Sequence, residues 1–314
     1  MKCLKCSNEA ILRIKRHKAA FCSDHLIEHL QNQMTKSLKK FKMLPPYSKV
    51  IVAISGGKDS LALWDMLLDQ GYEAHGFYID LGIDKYSEKS KEKVEKFAQQ
   101  VSGKLYTISL PELYSVGIEE ISQNNPRSAC SACGLIKRYV MNIIAKAGGY
   151  HAVATGHNLD DEASSLLGNT LRWQTGYLSR QSPSMPAKDG LSKKIKPLCR
   201  LAERETAAYC ITKNIDYILE ECPMSEGAST FDYKEVMNKL ELKSPGTKDQ
   251  FYLGFLRTGQ PHFQTHDNEP ELDNCPSCGE PTITPEQNCS FCRQMNSKDL
   301  GPLKLKSYIR NLFG

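Results

Sequence analysis

No run of eighteen apolar residues occurs in this 314-residue chain, so no segment is long enough to read as a transmembrane helix. Its first residues, Met1-Lys-Cys-Leu-Lys-Cys6, lack the apolar core of a signal peptide. The expected setting is soluble and cytoplasmic, with no membrane partner. Net charge is also modest: 41 basic against 36 acidic residues give +5. The positive excess is local, at Lys36, Lys39, Lys40 and Lys42 and again at Lys188, Lys193, Lys194 and Lys196. Such runs suit a polyanion or a plain solvated face. Missing too is the Walker A spacing, which needs four residues between its glycine and the Gly-Lys pair. Here Ser55 directly precedes Gly56-Gly57-Lys58, which excludes that kind of nucleotide loop.

A different anion loop is present. The β-branched run Val50-Ile-Val-Ala-Ile54 breaks into Ser55-Gly56-Gly57-Lys58-Asp59-Ser60 and then into Leu61-Ala-Leu-Trp-Asp-Met-Leu-Leu68. This reads as strand, loop and helix. Two glycines let successive N–H groups point into one concavity at the positive end of a helix, where phosphate binds. Ser55 and Ser60 add hydroxyls and Lys58 a charge. Asp59 is an odd neighbour for an anion unless it caps the helix or carries a divalent cation.

Downstream, Glu73–Asp80 reads as a second strand, Ser87–Val101 as a charged amphipathic helix, and Lys104–Ser109 as a third strand. A helix over Gly134–Ala147 precedes a fourth strand, His151–Thr155. Strands alternating with helices predict an α/β fold with a doubly wound parallel sheet. Ligands of such sheets sit beyond the carboxyl ends of the strands. Asp80 and the segment Gly156-His157-Asn158-Leu-Asp160-Asp161-Glu162 are therefore expected beside the anion loop. The carboxylates of that segment would cap the following helix or hold magnesium, with Asp161 the first choice for metal or substrate.

Twelve cysteines in a cytoplasmic chain argue for metal or redox chemistry before disulfides. Cys3-x2-Cys6 with Cys22-x2-His25, and Cys275-x2-Cys278 with Cys289-x2-Cys292, have the spacing of two zinc ribbons. Metal there replaces a core that so few residues cannot build. Leu26, Leu30, Met34, Leu38 and Phe41 recur at helical spacing from His25 to about Met43, giving a linking helix stopped by Pro45-Pro46. Cys199 and Cys210 read as buried thiols. Cys130-Ser-Ala-Cys133, between Asn124–Ser128 and a helix, and the distant Cys222 remain open to three readings: half a zinc site, a redox pair, or three ligands of an iron–sulfur cluster. Toward the C-terminus, Thr230–Lys243 and Lys248–Thr258 read as helices packing through Phe231, Val236, Leu240, Phe251, Phe255 and Leu256, and Gln260–Asn274 as a linker.

The loop Ser55–Ser60 resembles the PP-loop of the N-type ATP pyrophosphatases. Taken with the flanking cysteine sets, Gly156-His157-x-x-Asp160-Asp161 and Cys130/Cys133/Cys222, nearly the whole chain resembles the TtuA-type tRNA 2-thiouridine synthetases. That resemblance implies a ribbon over residues 1–27, a linking helix over 28–48, a PP-loop domain over 49–260, and a linker with a second ribbon over 261–314. It implies an ATP site of Ile54, Ser55, Gly56, Gly57, Lys58, Asp59, Ser60, Asp80, Gly156, His157 and Asp161, served by magnesium. It further implies that Cys130, Cys133 and Cys222 hold a [4Fe-4S] cluster whose free iron can carry hydrosulfide, though a persulfide route would use the same thiols. Catalysis would rest on those cysteines with Lys58 and Asp161, and two structural zinc ions would fill Cys3/Cys6/Cys22/His25 and Cys275/Cys278/Cys289/Cys292. The implied partners are tRNA, a thiocarboxylated ubiquitin-like sulfur carrier or inorganic sulfide, and a second copy in a homodimer. The implied target is the T-loop 5-methyluridine, with the wobble uridine, or a non-thiolating PP-loop reaction on tRNA, as alternatives. A zinc-stabilised nucleotide sensor that binds RNA without turnover is the reading from outside the enzymes.

Overall fold

The computed structural model describes residues 1–123, 129–225, 230–263, 272–283 and 287–314. The N-terminal ribbon pairs β1 (Leu12–Ile14) antiparallel with β2 (Ala19–Phe21). The helix α1 (Ser23–Lys40) follows, burying Leu26, Leu30, Met34 and Leu38 as their spacing predicts. It stops at Lys40, ahead of the prolines and short of Met43. Arg16, between the ribbon strands, reaches the main domain: its guanidinium meets Glu205 at 2.5 and 2.6 Å and Asp249 at 3.0 Å.

The central strand is β3 (Lys49–Ile54), in which Val50, Ile51 and Val52 are fully buried because both faces of the sheet are covered. After α2 (Lys58–Asp69) come β4 (Glu73–Asp80), α3 (Asp84–Gln100), β5 (Leu105–Ser109), and the short helices α4 (Leu110–Tyr114) and α5 (Ile118–Ser122). Then follow α6 (Ala129–Ala147), β6 (Ala152–Thr155), α7 (Leu159–Leu171), α8 (Thr175–Arg180), and the two-residue strands β7 (Ser184–Met185) and β8 (Lys194–Ile195). The sheet order is β5-β4-β3-β6-β8-β7. All neighbours run parallel except β7, which pairs antiparallel with β8, so the expected parallel sheet carries one reversed edge. Val50, Val52 and Ile54 face one core with α2, while Ile51 and Val153 face a second with α6. The doubly wound reading holds.

The remaining helices are α9 (Glu203–Thr212), α10 (Thr230–Lys243) and α11 (Thr247–Gly254). After Gly254 the backbone widens into a π-type turn over Phe255–Gly259 instead of continuing as a regular helix to Thr258. Gln260 belongs to the folded body and not to a linker, since its side chain donates to Ser179 O and Gln181 O. Gln260–Phe263 form a helical turn and Asp273–Asn274 a strand, so the expected linker is folded at both ends; its residues 264–271 lie outside the described residues. The C-terminal ribbon pairs β9 (Asp273–Asn274) with β10 (Pro281–Thr282) and ends in α12 (Ser290–Asn296) and α13 (Pro302–Asn311), which pack on α6.

Two expectations are corrected here. Cys130 and Cys133 do not precede a helix but stand on the first turns of α6, which begins five residues before Gly134. Phe231, Val236 and Leu240 are not core positions: they are 41%, 46% and 45% exposed, because α10 meets the body through Tyr233, Lys234 and Met237 instead. Phe251, Phe255 and Leu256 do pack partly buried against the core.

Candidate active site

A cavity of about 540 Å³ opens at the carboxyl ends of β3, β4 and β6. It lies where the connection order reverses, since β4 and β5 extend the sheet on one side of β3 and β6 starts the other. Ile54, Ser55, Asp59, Ser60, Gly156, His157 and Asp161 line it together with Cys130, Cys133 and Cys222, and Lys137 of α6 joins them. Gly56, Gly57 and Lys58 of the same loop are not among its lining residues. Asp80 does not face it: one carboxylate oxygen accepts from Gly82 N at 2.9 Å and the other from the Ser109 hydroxyl at 3.0 Å.

The anion loop is shaped by local chemistry. Ser55 N donates to Ser60 Oγ at 3.1 Å, and that hydroxyl donates to Gly57 O at 2.9 Å, closing the turn ahead of α2. Gly56 has φ +81°, and a Cβ there would stand 2.9 Å from Ser90 O of α3, so only glycine fits. Gly156 is required differently: a Cβ would come within 2.8 Å of Ser60 N, where the second loop lies on the first.

The second loop is fixed by Asn158, the N-cap of α7. Its side-chain oxygen accepts from Asp160 N at 2.9 Å and Asp161 N at 3.1 Å, and Asp161 returns a carboxylate oxygen to Asn158 N. The Asn158 amide also donates to Asp59 Oδ1 at 3.1 Å, and Thr206 donates to that same oxygen. The other acids are occupied: Asp160 accepts from Glu203 N and pairs with Lys248, and Glu162 pairs with Lys196 at 2.6 Å and accepts from Tyr252. Of the three acidic residues in the segment, Asp161 alone faces the cavity.

Sequence reading gives no role to Glu203 or Lys234, which join this site from α9 and α10. Glu203 holds Lys58 at 2.7 Å with one oxygen and Lys234 at 3.3 Å with the other, and Lys234 meets Asp161 at 2.6 Å. Burial draws both ammonium pKa values down, but the surrounding carboxylates outweigh it and both end raised. Burial pushes Glu203 up, and the two lysines overcome that and hold it low. Asp59 goes the other way, raised by burial despite Lys58. No local pattern announces these pairings, which join residues far apart in the chain.

The cysteines fall into two geometries. Cys6 and Cys22 Sγ lie 3.7 Å apart, and His25 Nδ1 is 3.5 Å from Cys3 Sγ and 3.3 Å from Cys22 Sγ. Cys275–Cys292 and Cys278–Cys289 are 3.9 and 3.8 Å apart. A zinc–sulfur bond of about 2.3 Å gives a tetrahedron edge of about 3.8 Å, so both sets fit one tetrahedral ion. Cys130, Cys133 and Cys222 form no such tight group among the described residues, yet all three face one cavity. Cys130 Sγ donates to Met224 O at 2.8 Å, tying α6 to the Cys222 segment. Three thiols around open space suit a group larger than one ion. Burial raises the Cys222 thiol. Cys199 and Cys210 are buried, as expected.

The profile of the PP-loop domain family matches residues 26–226, and that of the 2-thiouridine synthetase TtuA N-terminal LIM domain matches residues 2–27. The chain is 41% identical to a tRNA-5-methyluridine(54) 2-sulfurtransferase of Thermus thermophilus, covering 95% of this chain and 92% of that one. It is 39% identical over the full length of both chains to the protein of the same name from Pyrococcus horikoshii. The U34-tRNA thiolase NcsA of Methanococcus maripaludis, solved with its [4Fe-4S] cluster, shares the fold at a TM-score of 0.78 and 24% identity, over 96% of this chain and 97% of that one. Fold and site thus define a PP-loop protein with metal-binding ribbons. Within that class, the chain belongs to the TtuA-type tRNA 2-thiouridine synthetases.

Proposed function

We propose that the protein thiolates tRNA with ATP, adenylating the 2-oxygen of a uridine and replacing it with sulfur. The observation that carries this reading is one cavity lined by both the PP-loop and three thiols. Adenylation and sulfur transfer need adjacent sites, since an activated base must meet sulfur before water. The uridine oxygen attacks the α-phosphate of ATP and pyrophosphate leaves. The loop N–H groups, the start of α2 and Lys58 offset charge gathering on the leaving phosphates, and Asp161 and Asp59 are placed to hold magnesium. Sulfur then displaces AMP. Cys130, Cys133 and Cys222 would hold a [4Fe-4S] cluster, which supplies an iron position open to sulfide. Zinc in the two ribbons is structural.

The T-loop 5-methyluridine is the preferred target, supported by the names of relatives about 40% identical. A base folded into tRNA must be exposed before it reacts. The lysines of α1 with Lys188 and Lys193 offer positive surface for the RNA, and a thiocarboxylated carrier or free sulfide delivers sulfur. The exposed apolar residues Val236, Leu240 and Leu242 of α10 suit the second copy of a homodimer. Cysteines left free throughout fit a reducing cytoplasm.

The test is anaerobic incubation with unmodified tRNA, magnesium ATP and sulfide, followed by nucleoside analysis. A 2-thiolated uridine accompanied by stoichiometric AMP and pyrophosphate supports the proposal. Pyrophosphate without thiolated product favours another PP-loop reaction, and neither product favours a binding protein without turnover.

A further inference from the structure

Glu203 stands where two ammonium groups converge, one on each carboxylate oxygen: Lys58 of the PP-loop at 2.7 Å and Lys234 of α10 at 3.3 Å. An oxyanion bridged by two lysines is the contact a phosphate makes, and Glu203 makes it when no phosphate is there. Lys234 also closes on Asp161, a cavity-lining carboxylate, at 2.6 Å. The cluster sets the two lysines against three carboxylates, Asp59, Asp161 and Glu203, for a net charge of −1. That field repels an incoming polyphosphate unless the ammonium groups turn to it.

We propose that Lys234 is a second phosphate-binding residue of the nucleotide site, passing with Lys58 from Glu203 to the polyphosphate when ATP enters. The inference rests on the reading of the cavity as an ATP site. Lys234 leaving Asp161 frees that carboxylate for the cation that accompanies the nucleotide. Both lysines stay charged throughout, because burial is outweighed by their acidic neighbours. Lys234 thus serves the site from the side of α10 on which Met237 is buried, while Val236 and Leu240 face outward. It also follows that Glu203 competes with the substrate for both lysines.

Equilibrium binding of ATP, inorganic pyrophosphate and AMP to the full-length protein tests this, with wild type compared to Lys234→Ala, Lys234→Arg and Glu203→Gln. A control, Lys239→Ala, removes an exposed lysine of the same helix paired with Glu235. The expected result is a loss of about tenfold or more in ATP and pyrophosphate affinity for Lys234→Ala, as for losing one charge-assisted contact. AMP should change less than about twofold, and Lys234→Arg should restore most of the loss. Glu203→Gln, which removes the competing anion, should tighten pyrophosphate binding. A helix-packing role for Lys234 would not produce that gain. Equal ATP and pyrophosphate affinity in wild type and Lys234→Ala overturns the inference and leaves the nucleotide reading standing. A wild type that binds neither ligand overturns both.

Discussion

The amide of Asn158 donates to Asp59 Oδ1 across 3.1 Å and thereby ties the second loop to the PP-loop. The same side chain caps α7, so one residue fixes a helix start and the spacing between two cavity walls. Asn158→Ala should cost about 1 kcal/mol or somewhat more through the lost cap. Asn158→Asp keeps the cap but sets a second carboxylate against Asp59. It should fold nearly as well as wild type while binding magnesium ATP more weakly than Asn158→Ala. Paired thermal unfolding and ATP titrations check the order, and it fails if the two variants lose stability and affinity in parallel.

Arg16 carries the N-terminal ribbon onto the main domain. Its side chain is 6% exposed and that of Glu205 5%, with Asp249 completing the triad. Arg16→Ala strands the buried Glu205 and the half-buried Asp249 and should destabilise by about 3–5 kcal/mol. Denaturant titration reads this directly, and a loss under about 1 kcal/mol would mean that water or relaxation satisfies Glu205.

His17 and His29 meet nitrogen to nitrogen at 3.0 Å. Burial, then Arg16, brings both down from 6.5 to about 4. Since the folded values lie below the unfolded ones, the unfolded chain takes up protons first as pH falls. Stability from this pair is whole above about pH 6.5 and drains away between there and about pH 4. Unfolding midpoints across that window should rise with pH in wild type and rise less steeply in His17→Gln. Superimposable profiles would contradict the assignment.

The C-terminal four-cysteine ribbon braces α6, the helix that carries Cys130 and Cys133. Tyr139 of α6 stacks on Phe291 with centroids 3.6 Å apart, and Asn142 donates to Glu280 at 2.8 Å. Cys278→Ser, or selective removal of any metal the ribbon binds, should loosen α6 and speed amide exchange in it, while α2 on the opposite face of the sheet exchanges as before. Uniform protection across both helices would show the brace to be dispensable.

What was legible in the sequence is what is local. The PP-loop, the strand Glu73–Asp80 and both four-ligand sets occupy the positions their spacing predicts, because a tight turn or a tetrahedral ion constrains residues near in sequence. Hydrophobicity marks Phe231, Val236 and Leu240 as packing positions, but the face of α10 that meets the body carries Tyr233, Lys234 and Met237, which a reading of apolar residues alone does not single out. The start of α6 was placed late because Asn124–Ser128 looks like a turn and Cys130-Ser-Ala-Cys133 has the form of a ligand loop, whereas its small residues are compatible with a helix. The sequence assigns no role to Glu203 or Lys234. Their roles come from packing α9 and α10 over a loop far away in the chain.

The central claim is that Cys130, Cys133 and Cys222 hold a group that neither ribbon holds. The most direct measurement is metal and sulfide analysis of anaerobically purified protein, with a visible spectrum, for wild type and for Cys130→Ala, Cys133→Ala and Cys222→Ala. The account predicts about four irons and four sulfides per chain, lost in each variant while about two zinc ions remain. Zinc alone in wild type after reconstitution with iron and sulfide would contradict it.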